Sequence, residues 1–252
     1  MADYRLLRLS AMLLLVGLVL TILAQVPHPV GSSPANLEQF AAYAASAVEF
    51  WTAIHLAQFL GEALLLTGLL VLFFALNLSE RMPRMVGILG AVSAGVALAL
   101  AGVELAVDGV ALKQSVDAWA SAPAAEKAAR FASAEAIRWL EWGTSAYENV
   151  VMGLAMVLLG IVVAWTGRVP RLIGFFMGAS GVAIVVAGWL TAIAGFGGAT
   201  SLAVLAGFGC LLAFAIWLLI VPWTTKVADR PGDRPPARPG EGVHLTSSNP
   251  PG

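Results

Sequence analysis

The sequence predicts an all-α protein, a polytopic membrane helix bundle of about six transmembrane helices with a small external helical lobe. Three observations predict it. Hydrophobic residues make up 59% of the 252 and charged residues 12%, against about 45–50% and about 25% in soluble domains. The apolar residues gather into six runs, each close to or above the ~20 residues that a helix needs to cross a hydrocarbon core. Those runs are apolar on all faces and lack the alternation of a membrane β-barrel, so helices are expected rather than strands.

The first run, Leu9–Val26, follows Arg5 and Arg8 and ends at Pro27 and Pro29. It reads as a span. A signal peptide is the competing reading, since Ile22 and Ala24 leave a cleavage site open, but at roughly 18 residues the run is longer than a usual signal core. The second run extends from Phe50 to Leu78, the third from Met85 to Leu112 and the fourth from Tyr147 to Trp165. The fifth covers Leu172–Ala194 and the sixth Leu202–Trp223. Residues 1–224 thus form one six-helix membrane domain. From 225 to 252 the chain is rich in proline and glycine and nearly free of apolar residues, which predicts a disordered cytoplasmic tail. Its basic residues suit anionic lipid headgroups, and a PxxP-type partner site is a lesser reading.

Orientation follows from the basic residues, because positively charged short loops stay on the cytoplasmic side. Arg5 and Arg8, Arg81 and Arg84, Arg168 and Arg171, and the four basic residues after the sixth run all fall on one side. Both termini are therefore expected in the cytoplasm of a cell-membrane protein. The segment of about 113–146 becomes the external lobe, with an amphipathic stretch Ala124–Gly143 leading into the fourth span. By this topology the outer side carries a net charge of −6 and the inner side +5, consistent with the total of −1.

Pro83-Arg84-Met85-Val86-Gly87 recurs as Pro170-Arg171-Leu172-Ile173-Gly174, with Ser93 matched to Ser180. A repeated helical hairpin and a shared preference for Pro-Arg at the inner interface explain this equally well. As depth markers the two prolines are useful. Glu62, Glu104 and Glu148 each lie roughly 32 Å from them at 1.5 Å per residue, near the outer edge of the core. Asp108 lies one turn further out, and His55 about two turns outward of Glu62.

These depths define the candidate site, because ionisable groups in spans face a bundle interior or a watery cavity. His55, Gln58 and Glu62 share a helix face by their spacing, Glu104 and Asp108 share another, and Glu135, Arg138, Glu141 and Glu148 follow along the fourth helix. A ligand or ion pocket built from His55, Gln58, Glu62, Glu104, Asp108, Arg138, Glu141 and Glu148 is expected, with Arg138 or Lys113 as counter-ion. No resident metal or cofactor is expected: there is no HExxH and no Glu-x-x-His pairing within the apolar runs, and His28 and His244 lie in a proline-rich loop and the tail. The lone Cys210 and the Gly195-Phe196-Gly197-Gly198 turn carry no catalytic signature. Glycines such as Gly87, Gly90, Gly95, Gly102, Gly174, Gly178 and Gly181 read as helix-packing positions. Trp51, Trp139, Trp142 and Trp189 read as an outer interfacial belt, with Trp165 and Trp223 at the inner interface.

Three function classes follow. The favoured one is binding or transport of a small solute or cation through the outward-facing acidic pocket, with oligomerisation as a way to enlarge a small permeation unit. The others are an accessory or structural protein whose lobe docks a partner, and a membrane-embedded enzyme, although the lack of a nucleophile–base constellation weighs against catalysis. The bilayer is the expected partner. Nucleic acid is not, since the chain has neither a basic patch nor a recognition motif.

Overall fold

The computed structural model describes residues 2–28 and 37–228, with side chains described as far as Val221. All regular structure among them is helical: α1 (Tyr4–Gln25), α2 (Leu37–Ala45), α3 (Val48–Ala75), α4 (Arg81–Ala120), α5 (Lys127–Thr166), α6 (Arg171–Ala194) and α7 (Gly198–Ala228). Six of these, all but α2, are long and apolar enough to cross a membrane. The helices end where the local chemistry stops them. The Asp3 carboxylate accepts from the N–H groups of Arg5 and Leu6 to open α1, as an N-cap should. Pro83 sits in the first turn of α4 and Pro170 just precedes α6, where a missing N–H costs nothing. Gly167 closes α5 at φ +59°, a left-handed conformation that glycine adopts without a Cβ clash.

The six long helices run alternately up and down, each packed on the next, and α7 returns to pack on α1 to close the ring. Leucine, methionine and valine side chains fill its middle, including Leu14, Leu66, Leu69, Leu72, Met156 and Leu159. Close approach is set by small residues, which let helix backbones come together. A Cβ on Gly17 would lie 2.5 Å from the Gly61 carbonyl, and one on Gly181 would lie 2.5 Å from that of Gly153. A Cβ added on Gly95 or Gly178, by contrast, would meet nothing within 4 Å, although the Gly178 backbone lies close to Gly160. The buried Ser180 hydroxyl donates to the Gly207 carbonyl at 2.8 Å, tying α6 to α7.

The arginine-bearing turns share one end of the bundle. The Asp3 N–H donates to the Ala75 carbonyl at 2.8 Å, and Arg168 reaches the Ser79 hydroxyl at 3.5 Å across two turns. At the opposite, acidic end, α4 passes through a π-helical turn, Val107–Leu112, before resuming as Lys113–Ala120. There the short helix α2, which sequence reading left as loop, packs Phe40 and Tyr43 against Trp51, Leu112, Val116, Trp119 and Ala134. This separate core makes a lobe of α2, the first turns of α3 and α5, and the last turns of α4. The helix α5 is continuous over its 40 residues, with no break where the apolar run begins. Likewise α7 continues through Ala228, past the expected domain limit at 224, while residues 229–252, with most of the tail and His244, lie outside the described residues.

Candidate functional site

Asp108 is the hub of the acidic end. It lies on the π-helical turn, is 5% exposed, and its main-chain carbonyl accepts from the Trp51 indole N–H at 3.0 Å. A π-turn re-aims the side chains it carries, which is one reason such turns gather at sites. Gly109 beside it lets α3 come close, since a Cβ there would lie 2.7 Å from the His55 Cβ. The consequence is a direct contact between α3 and α4: His55 Nε2 lies 2.9 Å from Asp108 Oδ2.

His55 is held from behind. Its Nδ1 lies 2.7 Å from the Trp51 carbonyl, one turn earlier in α3. A carbonyl only accepts, so Nδ1 carries a proton and Nε2 is the atom turned to Asp108. His28, in the turn that follows α1, approaches the same carboxylate oxygen with its Nε2 at 3.6 Å. Its ring stands 5.2 Å from His55 and 5.0 Å from Trp51, centroid to centroid.

Four more carboxylates adjoin this triad. One oxygen each of Glu104, Asp108 and Glu141 lies within 4.8 Å of the others, and Glu104 is also within electrostatic reach of Glu62 and Glu148. Arg138 answers one of them: its Nη1 donates to Glu141 Oε2 at 2.8 Å and Oε1 at 3.2 Å, with both residues buried. The guanidinium lies between two rings, 5.4 Å from the centroid of Tyr43 and 5.5 Å from that of Phe196, which adds cation–π attraction. Burial pushes the Tyr43 phenol above its ordinary value, so it stays neutral beside this charge, and its oxygen accepts from the Gln39 amide. Among the described residues, Oε2 of Glu62, Oδ1 of Asp108 and Oε1 of Glu148 are buried without a hydrogen-bond partner.

The expected pocket residues are therefore distributed in three ways. His55, Glu104, Asp108, Arg138 and Glu141 form the centre, while Glu62 and Glu148 stand beside it. Gln58 turns instead to α1, where its amide donates to Gln25 Oε1 at 2.8 Å. Lys113 is not the counter-ion of this cluster. It is buried, and its ammonium is 2.6 Å from Asp117, one turn along its own helix, as i,i+4 spacing favours. Trp51 and Trp142 are not belt residues either, at 0% and 5% exposure, whereas Trp139 and Trp189 are 57% and 65% exposed. Trp51 is buried in the lobe's aromatic core, where the Asp108 carbonyl satisfies its N–H.

Sequence reasoning missed His28, Tyr43, Trp51 and Phe196 at this site. The available signal was that His28 follows directly on the end of the first apolar run, at the height reached by His55. No protein-family model matches the chain, and comparison with curated proteins and with solved structures finds no match. The site is read from its geometry.

Proposed function

We propose that this is a multi-pass protein of the cell membrane, both termini cytoplasmic, that binds a cation at the outer, acidic end of its bundle. One observation carries the reading: Asp108, buried on a π-turn, faces two imidazoles and two further carboxylates, Glu104 and Glu141. With Arg138 committed to Glu141, the negative charge of Glu62, Glu104, Asp108 and Glu148 exceeds what the cluster's arginine neutralises. Unbalanced charge is costly in a low-dielectric bundle, and a bound cation or protons relieve it. Oxygens that approach within 4.8 Å leave room for a single ion rather than a bulkier solute. The leucines and methionines packed in the middle of the bundle favour binding over passage.

Thermal denaturation of the detergent-purified protein with K⁺, Mg²⁺, Ca²⁺, Mn²⁺, Co²⁺ and Zn²⁺ tests this. At 100 times its dissociation constant a cation should stabilise the fold by about 2.7 kcal/mol, and Asp108→Asn should abolish the shift. Indifference to every cation would refute the reading. For the topology, a cysteine in place of Ala125 in a Cys210→Ala background should react with impermeant maleimide on intact cells. One replacing Ser79 should react only after permeabilisation, and the reverse pattern would invert the orientation.

A further inference from the structure

We propose that His28, His55 and Asp108 form a binding site for one divalent first-row transition-metal ion, held by Nε2 of each imidazole and by the Asp108 carboxylate. The inference rests on the cation-binding reading above and deepens it by naming the class of ion.

Geometry is the first argument. Two ligand atoms each ~2.0–2.2 Å from one ion are about 2.9 Å apart at a right angle and about 3.4 Å apart at the tetrahedral angle. The Nε2 atoms of His55 and His28 lie 2.9 and 3.6 Å from Asp108 Oδ2, and one ligand atom from each residue lies within 4.8 Å of the others. The second argument is the outer support. An imidazole that ligates through Nε2 commonly donates its Nδ1–H to a carbonyl, which fixes tautomer and ring angle. His55 does this to Trp51 at 2.7 Å, while Trp51 in turn holds the Asp108 carbonyl through its indole.

A third argument is the buried Oδ1 of Asp108, an acceptor in a residue only 5% exposed that no group among the described residues satisfies. A plain histidine–aspartate ion pair accounts for one imidazole. It gives no reason for two imidazoles to converge on a single carboxylate oxygen with their rings 5.2 Å apart, because two imidazolium ions would repel at that distance. Two neutral imidazoles around a metal do not.

The neighbouring set of Glu104, Asp108 and Glu141 is the poorer candidate. Arg138 already occupies both oxygens of Glu141, placing a fixed positive charge where an ion would enter. Nitrogen donors also choose the ion. Calcium and magnesium take oxygen ligands, whereas imidazole with carboxylate suits zinc, cobalt, nickel and copper.

The test uses the full-length chain in detergent, any polyhistidine tag removed and His244→Ala introduced so that the third histidine of the sequence is absent. Cobalt(II) chloride should bind with a stoichiometry of one per chain and give visible d–d absorption, zinc(II) chloride should displace it, and a hundredfold excess of calcium should not. His28→Gln and His55→Gln should each weaken cobalt binding at least tenfold. Copper(II) bound to the protein with both histidines intact should show two imidazole nitrogens by pulsed electron paramagnetic resonance, which requires no variant of a buried residue to fold. Calcium or magnesium binding without cobalt binding would overturn this inference and leave the cation reading standing. Cobalt binding with unaltered affinity in the His28 variant, or copper without imidazole nitrogens, would overturn the inference too. Binding of none of these ions, nor of potassium or manganese, would remove both.

Discussion

Removing the Arg138 charge should destabilise the protein far more than removing Arg138 and the Glu141 charge together. The two residues are both 3% exposed in their side chains and meet at 2.8 Å, three residues apart on α5. Two unit charges about 4 Å apart at an effective dielectric of about 20 attract by about 4 kcal/mol, much of which offsets the cost of taking both out of water. Arg138→Gln removes that attraction and strands a buried carboxylate beside Asp108 and Glu104, so a loss of about 3–5 kcal/mol is expected. Adding Glu141→Gln removes the stranded charge and should restore most of the loss, giving a coupling of about 2–3 kcal/mol. The assay is reversible unfolding in mixed detergent micelles, followed by far-ultraviolet circular dichroism for wild type, both single variants and the double. A parallel cycle of Arg138→Gln with Glu62→Gln serves as control and should be nearly additive, since Arg138 makes its ion pair with Glu141. If the Arg138–Glu141 cycle is additive to within about 0.5 kcal/mol, the pair is decoration and the account of charge at this end fails.

Three further outcomes follow from the packing. Gly17→Ala should destabilise the fold by about 1–3 kcal/mol, because its Cβ would meet the Gly61 carbonyl at 2.5 Å, whereas Gly178→Ala, facing open space, should be neutral or stabilise by up to about 1 kcal/mol in the same unfolding assay. Gly109→Ala, with a Cβ 2.7 Å from that of His55, should push α3 from α4 and weaken cation-induced stabilisation at least tenfold; unchanged affinity would show that the His55–Asp108 contact is not needed. Trp51→Phe keeps the ring but deletes the N–H to the Asp108 carbonyl, so it should cost about 1–3 kcal/mol and weaken cation binding. A variant as stable as wild type would mean that another donor takes over that carbonyl.

How much of this was legible in the sequence depends on the range of the interaction. The six long helices could be read because each needs only its own composition: an apolar run long enough for a hydrocarbon core must satisfy its backbone internally, and a helix does that alone. The shared end of the arginine turns followed from alternation, since consecutive long helices reverse direction. Depth was readable too, because a fixed rise per residue converts sequence distance into height, and so Glu62, Glu104, Asp108 and Glu148 could be grouped before any contact was known.

Azimuth was not readable. Which faces meet depends on close approaches such as Gly17 with Gly61 and Gly109 with His55, and on the closure of α7 onto α1, none of which leaves a local trace. The helix α2 was missed because nine residues of amphipathic sequence gain their stability from the lobe's aromatic core rather than from themselves. Lys113 paired along its own helix with Asp117, because that residue stands at i,i+4, whereas Asp108 and Glu104 lie earlier on the same helix, on and before the π-turn, away from that spacing. The π-turn that aims Asp108, and the chain path that carries His28 back to it, belong to tertiary structure for the same physical reason: sequence sets what each segment can bury and how high it stands, and only packing decides which side chains then face one another.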